Sequence, residues 1–229
     1  MLSLSPDRKA EITRQAKELL YRYLKSAQAV SAGSVDPYDL FPLRPDVIIA
    51  DVLKLRLERV EEIPNEDGNK TVGLYRSEGM IALAECQDRK VWRFTAAHEI
   101  GHYILHPKLD GLRERPLDHG SPAVSLTPIE QEANFFAAQL LMPPKLVRGS
   151  FHERFGGAFS VASMSDDDAH LLSAGKLRLS QLKAMQPKDR AALFACATWF
   201  NRQFPSLTEA FGVSATAMAL QLLELRMVS

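Results

Sequence analysis

The stretch TAAHEIGHYILH, residues 95–106, sets two histidines four apart around a glutamate, with a third histidine four residues further on. Residues four apart on an α-helix share one face, with Cβ atoms about 6 Å apart. His98 and His102 can therefore reach one ion at the roughly 2 Å of a zinc–nitrogen bond. Glu99 follows the first histidine and points sideways along the helix, close to a water at the ion without displacing it, which is where a general base is needed. The competing reading is a packed amphipathic helix that happens to carry histidines, and HExxH arises by composition in about one chain in a hundred. Gly101 favours the metal reading, because a mid-helix glycine costs up to ~1 kcal/mol relative to alanine and is better placed where something packs closely.

Two histidines leave a tetrahedral ion short of its usual third protein ligand. His106 lies about 12 Å along the helix axis from His98, too far for one ion while the helix is intact. Glu130 is the better candidate. It stands near the start of TPIEQEANFFAAQLLMPP, residues 127–144, where Thr127, Pro128 and Glu130 match a helix cap, first position and capping-box acid. Ala133, Ala137 and Ala138 would let this helix approach closely, and Asn134, one turn on, could orient an imidazole N–H. Glu132 points about 200° away from Glu130. A purely capping role for Glu130 is the alternative.

Outward from this core, Ser5 and Pro6 open a helix over about Pro6 to Gln28, and Pro45 leads a short one in RPDVIIADVL. Three β-like runs follow, around Leu55 to Ile63, Thr71 to Arg76 and Ile81 to Cys86, suggesting a small antiparallel sheet. The histidine helix stops at Pro107, a polar loop runs to Leu126, and Ser165 can cap a short helix in the small-residue stretch after Gly156. The remainder reads as helical. Residues 1–150 are expected to form one domain and residues 151–229 a helical C-terminal region. Of 229 residues, 46% are hydrophobic and 24% charged, which is enough apolar side chain for a core. Twenty-eight basic residues balance 28 acidic ones, arguing against a broad nucleic-acid footprint. Two cysteines and no apolar run of membrane-spanning length lead us to expect a cytoplasmic protein without a membrane partner.

FTAAHEIGHYILHP, residues 94–107, followed by EQEANFFAAQLLMP, residues 130–143, resembles the paired signature of the ImmA/IrrE family of metallo-endopeptidases, HExGHxxxH and then ExxANxFAxxLLMP. The resemblance implies an α+β, zincin-like fold, with a small antiparallel sheet packed on the active-site helix and a helical C-terminal region. It implies zinc held by His98, His102 and Glu130, with Glu99 activating water. Manganese and iron suit the same ligand types. It also implies a protein substrate, a helix-turn-helix transcriptional repressor in a stress-response or mobile-element switch. Tyr103, His106, His119 and Arg93 are candidate donors to the oxyanion, and the strands at 71–76 or 81–86 are candidate edges for an extended substrate.

A rival reading comes from SLTEAFGVSATAMALQLLEL, residues 206–225, which has the cadence of helix, glycine turn and serine-capped helix. On that reading the chain is a DNA- or protein-binding regulator whose metal is structural or sensory. Residues 215–225 contain no lysine or arginine, the side chains on which phosphate contacts and guanine readout rely. Nucleic-acid binding is therefore not expected.

Overall fold

The computed structural model describes residues 4–31, 34–64, 70–76, 79–85, 88–108, 113–114, 127–198 and 204–229. His119 and Cys86 lie outside them. The chain divides into two compact units, Met1–Leu141 and Met142–Ser229. In the first, α1 (Pro6–Ser31) begins where Ser5 and Pro6 predict, with Ser5 Oγ accepting the Arg8 N–H at 3.2 Å. Its buried stripe is Ile12, Ala16, Leu19 and Tyr23, the spacing of one helical face. α2 (Pro45–Val47) continues as a π-helical turn over Ile48–Val52.

The main sheet contains β1 (Arg56–Val60), β4 (Gly73–Arg76), β5 (Met80–Ala84) and β6 (Arg113–Glu114), in the spatial order β1-β5-β4-β6. β2 (Ile63–Pro64) and β3 (Lys70–Thr71) form a separate two-stranded ribbon. β4 and β5 are an antiparallel hairpin whose turn closes through the Gly79 N–H to the Arg76 carbonyl, with Gly79 at φ +83°. β1 does not extend this antiparallel pattern: it pairs parallel with β5, so the sheet is mixed. The hairpin is fixed by a local turn, whereas β1 docks on the far side of β5 from β4, a non-local choice that alternation in sequence does not encode. β5 is consequently enclosed between β1 and β4 and offers no edge to a substrate strand. β6 pairs β4 at Gly73 and Leu74.

The second unit is helical. α5 (Pro144–Phe155) ends at Gly156 in the left-handed conformation, and α6 (Asp166–Leu172) is capped by Ser165 in a full capping box. α7 (Leu179–Ala184) and α8 (Pro187–Cys196) lead to α9 (Leu207–Phe211) and α10 (Ala215–Glu224). Phe151, Phe155, Phe159 and Phe194 cluster with ring centroids 4.5–6.0 Å apart. The buried Arg154 guanidinium is satisfied by the carbonyls of Pro205, at 2.7 and 3.1 Å, and Ser150, at 2.8 Å. Gly212 turns α9 into α10, and Met218, Ala219 and Leu222 bury the inner face of α10.

The centre of the first unit is α3 (Arg89–Leu105), started by Asp88, whose carboxylate accepts from the N–H groups of Lys90 and Val91 at 2.7 and 3.3 Å. Every residue from Thr95 to His102 is buried, so α3 is covered all round: β4 and β5 lie against it, and so does α4 (Pro128–Leu141). A Cβ on Gly101 would stand 3.1 Å from the Ala133 carbonyl oxygen, 3.2 Å from Ala133 Cα and 3.3 Å from Phe136 Cδ1. Two of those atoms are backbone, so the glycine and the small Ala133 let the helices approach at this point. Gly101→Val is expected to destabilise the protein by about 1–3 kcal/mol through overpacking. A shift of the urea midpoint at unchanged m-value is the expected result; an unchanged midpoint would show that the helices can separate freely.

Candidate metal centre

Two helices that meet at a glycine bring their chemistry-bearing residues into register. His98 and His102, one turn apart on α3, are both fully buried. Their rings meet edge to face with centroids 4.5 Å apart, and their Nε2 atoms lie 2.9 Å from each other. The carboxylate of Glu130 reaches in from the first turn of α4, with Oε2 at 3.1 Å from His98 Nε2 and Oε1 at 3.5 Å from His102 Nε2. One ligand atom from each of the three residues lies within 4.8 Å of the others. Thr127 Oγ1 caps the helix by accepting the Glu130 N–H at 3.3 Å, while the Glu130 carboxylate turns to the histidines. Asn134, one turn after Glu130, places Oδ1 3.0 Å from His98 Nδ1. An amide oxygen only accepts, so Nδ1 carries the proton and Nε2 presents a lone pair.

Electrostatics set the protonation states. Burial raises the Glu130 carboxyl, but its favourable interactions with His102 and His98 outweigh it and hold the group down at about 2. Burial pushes His102 below the ordinary imidazole value, assisted by His98 and opposed by Glu130. At neutral pH the cluster therefore offers a carboxylate and a neutral imidazole, the forms a divalent cation takes up. His102 Nδ1 is buried with no hydrogen-bond partner among the described residues. Two imidazole nitrogens and a carboxylate converging on one point fit zinc, for which nitrogen and oxygen donors of this kind are standard.

Glu99 is buried beside His98 and packs under the sheet. A Cβ on Gly73 of β4 would collide with Glu99 Oε1 and come within 2.7 Å of Thr95 Cγ2. Gly73 was not singled out by the sequence reading; a glycine inside the strand-like run TVGLYR was the signal available, since it marks a close backbone approach. The other glutamate of α4 has a separate task. Glu132 forms a two-point ion pair with Arg8 of α1, at 2.9 and 2.5 Å, and its Oε2 lies 3.5 Å from His106 Nε2. His106 is the C-cap of α3 and faces Glu132. Tyr103 packs edge-on to Tyr75 at 5.9 Å. Arg93 donates from Nε to the Leu43 carbonyl at 2.9 Å and is not among the groups gathered at Glu130.

Zinc added to metal-free protein is expected to raise Tm, because binding to the native state stabilises it by mass action. Glu130→Gln removes the carboxylate and is expected to weaken zinc affinity by roughly tenfold or more. An equal zinc-induced Tm shift in wild type and Glu130→Gln would remove Glu130 from the ligand set.

A family model of the peptidase M78 class, described as the IrrE N-terminal-like domain, matches residues 58–163. No curated protein matches the chain. The match begins in β1 and takes in α3 and α4 whole, so both helices of the candidate metal centre lie inside it. Residues 58–163 of this chain are similar to the IrrE N-terminal-like domain of the M78 peptidase family.

Proposed function

We propose that the chain is a zinc-dependent endopeptidase, with His98, His102 and Glu130 as ligands and Glu99 as the general base. The observation that carries this reading is the convergence of the three ligand atoms within 4.8 Å, with Glu99 adjacent on the same buried helix. A zinc ion held there supplies Lewis acidity toward the scissile carbonyl and makes water a nucleophile near neutral pH. Glu99 takes the proton from the attacking water and returns it to the leaving amine. Asn134 keeps the His98 ring turned toward the cluster by fixing its tautomer. Gly73 leaves the space that the Glu99 carboxylate occupies.

The proposed substrate is a helix-turn-helix transcriptional repressor, cut at one site to switch stress-response or mobile-element genes. Its support is the paired HEIGH and EQEAN signature, not the site geometry. The outer edge of β4 beyond its pairing with β6, at Tyr75 and Arg76, is where an extended segment would add to the sheet. Co-expression with the regulator encoded beside its gene tests the substrate: a product with wild type and none with Glu99→Gln is expected.

On a cleavable substrate Glu99→Gln is expected to lower kcat by a factor on the order of 100 or more while zinc content stays stoichiometric. Cleavage at the wild-type rate would overturn the role of Glu99. Gly73→Ala leaves all three ligands untouched but displaces the base, so kcat is expected to fall on the order of 100-fold with zinc retained. Unaltered turnover in this variant would mean that Glu99 works from another position.

A further inference from the structure

Away from the metal cluster, the first unit has a cleft of about 810 Å³ between α2, β1 and the N-terminal half of α3. Four arginines line it, Arg44, Arg59, Arg89 and Arg93, against two carboxylates, Asp46 and Glu85. Its floor is apolar, with Leu43 fully buried and Trp92 forming a wall over which Arg59 stacks at 5.2 Å. The carboxylates do not match the guanidinium groups one to one. A single oxygen of Asp46 serves both Arg44, at 2.8 Å, and Arg59, at 3.8 Å. Arg89 and Arg93 stand one turn apart on α3, a like-charge spacing that costs stability on a helix. Burial and the charge of Arg89 both push Arg93 down from the usual guanidinium range, against the pull of Asp46. The cleft thus concentrates positive charge that its own acids leave about two units in excess.

We propose that this cleft binds a small oligophosphate, either free pyrophosphate or the phosphate tail of a nucleotide. Guanidinium forks engage phosphate oxygens two at a time. A single carboxylate would add only one more charge of the kind Asp46 already supplies, whereas one phosphate carries about two charges at neutral pH. The volume of about 810 Å³ lies within the range of small-molecule pockets. The inference is independent of proteolysis, since none of these residues belongs to the metal cluster.

Isothermal titration of the full chain tests it, with sodium pyrophosphate, ATP and a hexaglutamate peptide as probes, in metal-stripped and zinc-loaded protein. Saturable binding of pyrophosphate or ATP in both forms is expected, weakening as salt rises. Equal affinities for the two place all recognition on phosphate, and tighter ATP binding adds the nucleoside. Arg89→Glu is exposed and reverses one charge, and it is expected to weaken binding by roughly tenfold or more. Arg59→Gln, on a different element, is expected to act in the same direction, so the test survives if one variant fails to fold. Absence of binding at millimolar phosphate, binding only when zinc is loaded, or wild-type affinity in both folded variants would each overturn the proposal. So would binding of hexaglutamate alone, which would make the cleft a dock for an acidic protein segment.

Discussion

The site depends on the close approach of α3 and α4 at Gly101. A side chain there would press on the backbone of Ala133, one residue before Asn134 and three after Glu130. Helices held apart by an ordinary residue would carry Glu130 out of reach of the histidines, because a carboxylate has little length with which to compensate. The covering of α3 from the other side is equally tight. Gly101 and Glu99 are two residues apart and point about 200° away from each other, so α4 meets one face while β4 meets the opposite one at Gly73. A glycine at each contact fixes the helix between its neighbours, and the residues between those contacts are the ones that converge.

Burial of three ionisable residues in α3, His98, Glu99 and His102, requires an account of its own, since an unpaired buried charge is costly. His98 is satisfied at Nδ1 by Asn134, and Glu130 stays ionised because the imidazoles outweigh its desolvation. The two glutamates of the first turns of α4 divide their work by angle. Glu130 faces the histidines; Glu132, about 200° around, faces Arg8 and ties α1 to α4. That pair sits at the rim of the helix packing, with Glu132 held below the usual carboxylate range chiefly by its hydrogen bond to Arg8. The N-terminal helix thus steadies the element that carries the third candidate ligand.

What could be read in the sequence follows from range. His98, Glu99 and His102 were legible because the periodicity of one helix fixes their relation, and the caps at Ser5, Ser165 and Ser214 because they act within three residues. Glu130 needed one further step, namely small residues on a second helix that make close approach feasible. The parallel docking of β1 on β5 was not legible: a strand's alternation states which side is buried but not which neighbour it pairs with. Gly73 was missed for a related reason. Its meaning lies in the side chain of Glu99, 26 positions away, and nothing local to the strand names that partner.

A formal net charge of zero conceals two local imbalances on α3. Its C-terminal half gathers two imidazoles beside the carboxyl groups of Glu99 and Glu130, donors suited to a divalent cation. Its N-terminal half gathers Arg89 and Arg93 with Arg44 and Arg59, a set suited to an anion. Arg93 and His98 are five residues apart, about 7.5 Å along the axis, within one Debye length at physiological salt. The two ends therefore feel each other's charge, and the arrangement of cations at one end and anion ligands at the other lowers the cost of assembling each. Whole-chain charge says little about a protein of this kind, whose central helix carries arginines in its first half and, in its second, histidines that face a carboxylate.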